Sequence, residues 1–271
     1  MVKTAPSTAT APVLIEEHYG AVAVLRMNRP ERLNALNVEL GRALVDALRR
    51  VGEDSLVRVV LLTGTGRGFC AGGDLAMLRD VRARNAAHEL EGLLKAGKEI
   101  CLAICDMLKP VVAAVNGPAA GGGMNLALAC DIRIASEQAT FCEAFALVGL
   151  YPDFGGTYFL PRLVGPARAA ELFWTGETIY AADALRLGIV SRVVPQDRLE
   201  EEAKSLAARL AAGPPLAVRA VKQRLVAEDR PALERALDEE IELQKECFLS
   251  EDAAEGFEAF FAKRKPVFRG R

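Results

Sequence analysis

The 271-residue sequence predicts an α/β fold that ends in a helical region. Through the first two-thirds of the chain, short apolar runs of strand length alternate with longer stretches of helical periodicity, which is typical of α/β proteins. Two of the apolar runs end in glycine-rich turns, at residues 70–74 and 121–125, and each turn opens a helical stretch. From about Leu199 onward almost every segment is helical. A chain of this length can bury one large core, or one core with a helical appendage.

The individual elements follow from local patterns. Residues 13–17 and 21–27 predict a β-hairpin. Asn37 is expected to cap a helix that runs to about Val51, because its side chain can accept a hydrogen bond from a free amide of the first turn. The apolar face of that helix comprises Leu40, Leu44, Val45 and Leu48. Further strands are expected at 57–63, 111–115, 131–135 and 189–194.

The first glycine turn also satisfies a loose dinucleotide-binding fingerprint, Gly66-x-Gly68-x-x-Ala71. That fingerprint requires a second strand that ends in an acidic residue about twenty positions further on. Residues 86–107 instead have helical periodicity, so a nucleotide-binding oxidoreductase is disfavoured. No Gly-Lys-Ser or Gly-Lys-Thr follows a glycine run, which excludes a P-loop.

Composition excludes further classes. The 34 basic and 36 acidic residues nearly balance, and the basic block at 263–265 is too small for a dedicated nucleic-acid binder. No apolar run is long enough to cross a membrane, so no membrane partner is expected. Residues 1–12 lack the apolar core of a signal peptide and are expected to form a flexible tail.

Cysteine and histidine usage narrows the chemistry. The six cysteines include no Cys-x-x-Cys pair, so reduced thiols and a cytoplasmic location are expected. The two histidines, His18 in an expected edge strand and His88 in an expected exposed helix, favour neither a Ser-His-Asp triad nor a metal site. Catalysis must then rest on carboxylates and backbone amides. Amides crowded in a glycine turn at the positive end of a helix can stabilise an oxyanion.

Beyond the turns, several stretches share the order of motifs found in a known family. They are 28–36 (Asn-Arg-Pro-Glu-Arg-Leu-Asn-Ala-Leu), 68–75 (Gly-Phe-Cys-Ala-Gly-Gly-Asp-Leu), 116–123, 130–135, 160–165 and 184–190. Over roughly residues 13–268 the chain resembles the enoyl-CoA hydratase/isomerase family, the crotonase superfamily. Its motifs are most similar to those of the enoyl-CoA isomerase and epoxyphenylacetyl-CoA isomerase type.

The resemblance implies a crotonase-like spiral of ββα units at 13–198 that binds an acyl-CoA thioester. Helices at 199–271 would then build a homotrimer or a dimer of trimers. In such an assembly the phenylalanines of these helices would cover a neighbouring subunit, or else form an ordinary helical core: Phe248, Phe257, Phe260 and Phe261. No metal is implied, and no cofactor besides the coenzyme A of the substrate.

The resemblance also assigns site residues. The thioester carbonyl oxygen would lie between the amides of Gly73 and Gly122. Substrate and coenzyme A contacts are assigned to Arg32, Ala35, Ala71, Asp74, Leu75, Asn125 and Phe145. Arg32 and the block 263–265 are the candidates for the phosphates, with a solvated cationic surface as the alternative.

Acid and base side chains decide which reaction follows. Family hydratases carry two glutamates at the positions of Asn125 and Phe145, and water addition needs such carboxylates. Family isomerases place an acidic residue at the position of Asp153, whose alternative role is a turn residue that caps the next helix. Glu143 is the weaker candidate, because a displacement of two residues along a helix would point it to another side.

The predicted activity is therefore isomerisation of a CoA thioester, from 3-enoyl to 2-enoyl or within a related ring substrate, with Asp153 as base. Three alternatives stay open. They are a dehalogenase, whose usual histidine and tryptophan partners are not evident, a hydratase with water held by Asn125, and a catalytically silent scaffold that binds acyl-CoA or associates with RNA.

Overall fold

A computed structural model describes residues 11–271. The sequence predicts a flexible tail at 1–12. Residues 1–10 of this tail lie outside the described residues, so the tail stays a prediction. The strands are β1 (Leu14–Tyr19), β2 (Val22–Met27), β3 (Val59–Gly64), β4 (Val111–Val115), β5 (Ala119–Ala120), β6 (Ile132–Ser136), β7 (Thr140–Cys142), β8 (Ile179–Tyr180) and β9 (Arg192–Val194). The helices are α1 (Val38–Glu53), α2 (Leu75–Ala83), α3 (Ala87–Asp106), α4 (Gly122–Ala129), α5 (Gly156–Val164), α6 (Pro166–Thr175), α7 (Ala181–Arg186), α8 (Leu199–Ala211), α9 (Pro215–Ala227), α10 (Arg230–Leu249) and α11 (Glu251–Phe261).

A six-stranded sheet in the order β1-β2-β3-β4-β6-β9 lies at the centre of the described chain. β1 and β2 form the expected antiparallel hairpin, and each later pair of neighbours is parallel. Leu25 and Leu62 pack with the apolar faces of α1 and α3, whereas Val24 and Leu61 pack against α8 on the opposite face. Both faces are thus covered by helices, as parallel sheets require.

Most of the predicted elements are present. The Asn37 side chain accepts a hydrogen bond from the Leu40 amide at 2.9 Å, which confirms the cap of α1. The strand predicted at 189–194 is shorter, because β9 begins only at Arg192. The amides of residues 189 and 190 instead bond to the carbonyl oxygen of Ala184 and close the turn after α7. Their apolar character therefore reflects burial in that turn.

A small second sheet, β5-β7-β8, was not predicted. Its strands of two or three residues are too short to show an alternating pattern. The sheet fixes the second glycine turn, because the Gly121 amide donates to the Cys142 carbonyl at 2.8 Å. It thereby determines where α4 begins.

The C-terminal helices α10 and α11 pack largely on their own chain. Phe248 and Phe257 are each 1% exposed, with ring centroids 6.1 Å apart, and they pack with residues of α2 and α3. The expectation that these two rings cover a neighbouring subunit is therefore wrong, and the alternative of a helical core holds for them. Phe260 and Phe261 remain 55% and 37% exposed.

No helix within residues 11–271 combines the length and apolar character needed to cross a membrane. No group of three or more His, Cys, Asp or Glu side chains in that range is placed to hold a metal ion. All six cysteines are free thiols.

Candidate active site

The two glycine-rich turns meet at the ends of β3 and β4. Gly72 has φ +83°, a left-handed conformation, and a Cβ there would lie 2.6 Å from the carbonyl oxygen of Ala120 and 3.3 Å from the Gly122 nitrogen. Cys70 forms a β-bridge with Ala119, and the Ala120 amide donates to the Cys70 carbonyl at 3.0 Å. Only glycine permits backbones to come this close.

The amides of Gly73 and Gly122 are both available to a ligand. Gly73 is bypassed by the pairing around it, because the Leu36 amide donates to Gly72 and the Asp74 amide donates to Leu36. Gly122 is the first residue of α4, where amides have no acceptor within the helix and the helix dipole is positive. Within residues 11–271 neither amide donates a hydrogen bond. The pair has the properties of an oxyanion hole.

Asp153 borders this pair of amides. It lies in the turn between the 3₁₀ helix Ala144–Val148 and α5, and a Cβ on Gly122 would fall 3.0 Å from its Oδ1 atom. The carboxylate does not cap α5, whose N-cap residue is Gly155 with no side-chain cap bond. The alternative role predicted for Asp153, a capping turn residue, is therefore wrong for its side chain.

The backbone beside Asp153 is strained and tightly held. Phe154 adopts φ +54°, a left-handed conformation that is uncommon for a non-glycine residue. Its carbonyl accepts a hydrogen bond from the Cys101 thiol at 3.2 Å, and its ring packs on Gly97, where a Cβ would lie 2.6 Å from the ring. Strained residues of this kind persist where the surroundings fix them, often at active sites.

The environment of the Asp153 carboxylate makes it a stronger base. The residue is half-buried, but its Oδ1 atom is shielded from solvent and has no hydrogen-bond partner among the described residues. Oδ2 accepts one hydrogen bond from Gln244 Nε2 at 3.2 Å. Burial raises the pKa of Asp153 to about 7, against the opposing effect of the Gln244 hydrogen bond. A carboxyl with this pKa can accept and return a proton near neutral pH.

Two residues of α10 hold the Asp153 turn from behind. Gln244 also accepts the Tyr151 amide at 3.0 Å, while Glu240 accepts the Gly155 amide at 2.8 Å and the Thr157 hydroxyl at 2.7 Å. Burial raises the pKa of the Glu240 carboxyl to about 7. Sequence reasoning missed both residues. The available signal was that the buried face of α10 includes two polar positions among its apolar ones: Leu233, Leu237, Glu240, Gln244 and Phe248.

The positions at which hydratases carry glutamate hold no carboxylate here. Asn125 is fully buried, and its Nδ2 atom donates to the Asp153 carbonyl at 2.8 Å. Phe145 is 7% exposed, and its ring lies 3.5 Å from where a Cβ on Gly121 would be. Asn125 therefore supports the backbone of the candidate base, and Phe145 lines the second glycine turn.

Glu143 lies closer to the site than its spacing predicted. It follows β7 directly, is 1% exposed, and neither carboxyl oxygen has a hydrogen-bond partner within residues 11–271. Burial raises the pKa of Glu143 well above its usual range. The nearby Asn125 amide opposes this shift, while the charges of Asp153 and Glu240 add to it. The structure thus brings a second carboxyl beside Asn125.

The remaining candidate contact residues border the same turns. Ala35 is buried and Ala71 half-buried, in two segments joined by the Leu36–Gly73 bridge, and Leu75 opens α2. Arg32 is exposed beside them.

Asp74 has structural partners for both carboxylate oxygens. Oδ2 pairs with Arg29 at 2.9 Å, and Oδ1 accepts from the amides of Ala76 and Met77. Asp74 therefore caps α2 and pairs with Arg29, which leaves little of its carboxylate for a ligand.

Fold and site together define an α/β protein with an oxyanion-hole pair of amides on two glycine-rich turns. The sequence profile of the enoyl-CoA hydratase/isomerase family matches residues 17–271, and the chain belongs to that family. It is similar to the crotonyl-CoA hydratase of Syntrophomonas wolfei, with 40% identity over 256 residues, 94% of this chain and 97% of the relative. It is similar to the 1,2-epoxyphenylacetyl-CoA isomerase of Escherichia coli, with 41% identity over 251 residues, 92% of this chain and 95% of the relative.

Solved structures show the same fold. An enoyl-CoA hydratase from Mycobacterium avium subsp. paratuberculosis superposes with a TM-score of 0.86 and 35% identity, covering 95% of this chain and 98% of that one. The expected crotonase-like α/β fold with a C-terminal helical region is confirmed. The chain is an enzyme of the hydratase/isomerase family, and both hydratases and isomerases are among its relatives.

Proposed function

We propose that this enzyme isomerises an enoyl-CoA thioester by moving a double bond from the 3 to the 2 position, or isomerises a related ring thioester. The observation that carries the proposal is one shielded carboxylate, Asp153, beside two free amides. Asn125 and Phe145 occupy the positions at which family hydratases have glutamates. The site is thus equipped for proton transfer at carbon more directly than for activation of water.

The reaction needs a single base. Asp153 removes a proton from C2, and the electrons of that C–H bond form a dienolate whose negative charge lies largely on the thioester oxygen. The Gly73 and Gly122 amides donate hydrogen bonds to this oxygen, and each such donor is worth about 3 to 4 kcal/mol of the barrier. Protonated Asp153 then returns the proton to C4, which leaves the double bond between C2 and C3.

Apolar groups around the base suit an acyl chain or ring. Phe145 and Phe154 are buried, and Leu150 and Tyr151 are half-buried. One isomerase among the relatives acts, by its name, on an epoxyphenylacetyl thioester. Aliphatic and aromatic thioesters are therefore both to be tested.

Hydration of a 2-enoyl-CoA is the second candidate function. Several relatives are named as hydratases, and Glu143 supplies a second carboxyl near Asp153. In that case the two carboxyls would hold a water between them, and Asp153 would deprotonate it.

A direct assay separates the candidates. We expect the purified enzyme to convert a 3-enoyl-CoA into the conjugated 2-enoyl-CoA, seen as rising absorbance of the conjugated thioester. A hydratase would instead lower that absorbance when given a 2-enoyl-CoA, and a silent scaffold would change neither. Absence of isomerisation with both aliphatic and aromatic 3-unsaturated thioesters would contradict the proposal.

The hydrogen bond from Gln244 is expected to lower the pKa of Asp153. Gln244→Leu removes the donor to Asp153 Oδ2, so the pKa of Asp153 should rise above about 7. Because the base must be ionised, kcat/KM falls as pH drops through this pKa. The acidic limb of the pH profile of kcat/KM should therefore move to higher pH by about one unit. This shift corresponds to the free energy of one hydrogen bond to a charged group. Glu246→Gln, on the exposed side of α10, is the control and should leave the limb in place.

A further inference from the structure

Several buried polar atoms next to the candidate base lack hydrogen-bond partners. Among the described residues, Asn125 Oδ1 and both carboxyl oxygens of Glu143 have none, although Asn125 is fully buried and Glu143 is 1% exposed. A buried acceptor without a donor costs about 1 to 3 kcal/mol, so native structures rarely leave such atoms unpaired. When Glu143 is ionised, all three atoms are hydrogen-bond acceptors. The cluster therefore lacks a hydrogen-bond donor.

The orientation of the Asn125 amide is fixed by its neighbours. Its nitrogen lies 2.8 Å from the Asp153 carbonyl oxygen, which can only accept, so this atom must be the donating nitrogen. The amide plane packs directly on Gly156, where any Cβ would overlap it. The oxygen of Asn125 is consequently left as an acceptor in need of a donor, and the Glu143 carboxyl lies within reach of the same side-chain amide.

We propose that Glu143 stays protonated in the working enzyme and donates its carboxyl hydrogen to Asn125 Oδ1. Asn125 then bridges two groups, receiving a hydrogen bond from Glu143 and donating one to the backbone of Asp153. Glu143 is by this account a positioning residue, which acts on the base through Asn125. A neutral carboxylic acid cannot itself take a proton from a carbon acid, so Asp153 remains the single base.

The charges around Glu143 favour the neutral form. The ionisable groups that face it are Asp153 on its turn, Glu240 on α10 and Cys142 on β7, and none of these is a cation. An ionised Glu143 would add a negative charge to a buried region that already holds two carboxyls. Burial without a countercharge stabilises the protonated acid.

Two substitutions at Glu143 separate positioning from catalysis. Glu143→Gln keeps a donor for Asn125 Oδ1, so kcat should stay within about 3-fold of the parent value. Glu143→Leu leaves Oδ1 unpaired and frees the Asp153 turn, so kcat should fall by about 10-fold or more with KM little changed. Loss of kcat in Glu143→Gln as large as that in Asp153→Asn would make Glu143 a second base and overturn the proposal.

A second measurement does not depend on the substrate. At about pH 8 the Asp153 and Glu240 carboxyls, with pKa values of about 7, are mostly ionised. The infrared spectrum of the parent protein should then retain a protonated-carboxyl band that is lost in Glu143→Gln and kept in Asp153→Asn. An identical band in parent and Glu143→Gln would overturn the proposal.

Stability gives the same information through its pH dependence. Because the pKa of Glu143 is raised above 4.5 in the folded state, protonation of Glu143 contributes to stability at low pH. This contribution is lost as the pH rises through the folded-state pKa. The free energy of unfolding should therefore fall less steeply with pH in Glu143→Gln than in the parent, and equal slopes would contradict protonation. The kinetic comparison rests on the proposed isomerase activity. If no thioester is isomerised, the infrared and stability measurements still decide this inference.

Discussion

Asp153→Asn is expected to lower kcat for isomerisation by about 10²-fold or more while acyl-CoA affinity stays within a few-fold. Asparagine matches the size of aspartate, and its oxygen can still accept the Gln244 hydrogen bond that holds the side chain. What it lacks is the basicity that burial gives to the carboxylate, whose pKa is about 7. Binding and chemistry should therefore separate in this variant.

Steady-state kinetics together with calorimetric binding of a non-reactive acyl-CoA test this expectation. Glu143→Gln is the matched control, because it replaces the other carboxyl of the site with an amide of the same size that can still form hydrogen bonds. A variant Asp153→Asn that isomerises a good substrate at the parent rate would exclude Asp153 as the base. If acyl-CoA affinity falls by as large a factor as kcat, Asp153 has a binding role instead.

The parts of the site that the sequence predicted are those built from local chemistry. The glycine-rich turns at 70–74 and 121–125 predicted a close approach of backbone amides to a ligand, and the family resemblance assigned Gly73 and Gly122 within them. Asp153 could be recognised because it lies within a family motif, Pro-Asp-x-Gly-Gly. Each of these features is contained in a few consecutive residues.

The missed residues depend on contacts between distant segments. Gln244 lies 91 residues from Asp153, and Glu240 lies 85 residues from Gly155, so no local pattern links α10 to the turn. Polar residues on the buried face of α10 indicated an unusual environment. Only the packing of α10 on α3 and α5 shows what they bind.

Two residues lie in surroundings that their sequence pattern did not indicate. The prediction that Glu143 points away from the site assumed helical spacing. Glu143 instead precedes the 3₁₀ helix and has φ −81° and ψ 72°, which are not helical angles. Asp74 was assigned to substrate although an aspartate directly before a helix is also a common N-cap. The structure shows that capping role, together with the Arg29 ion pair.

Gly122→Pro is expected to remove most of the isomerase activity, because proline has no amide hydrogen to donate to the thioester oxygen. Proline is well tolerated at the first position of a helix, and Gly122 is the first residue of α4. The preceding Gly121, with φ 49° and ψ −129°, lies outside the α region that proline disfavours in its predecessor. The fold should therefore survive the loss of the donor, which circular dichroism and thermal unfolding can verify.

Gly122→Ala is the control that isolates the amide. Alanine also introduces a Cβ, 3.0 Å from Asp153 Oδ1 and 3.3 Å from the Phe154 ring, but it keeps the N–H group. Both variants carry the Cβ, so the difference between them reports the loss of the N–H group together with the ring carbon that replaces its hydrogen. We expect kcat of Gly122→Pro to lie about 10² to 10³-fold below that of Gly122→Ala, the usual effect of losing one oxyanion-hole donor. Equal rates in two folded variants would mean that the charge of the intermediate is stabilised elsewhere, and the role of Gly122 would have to be abandoned.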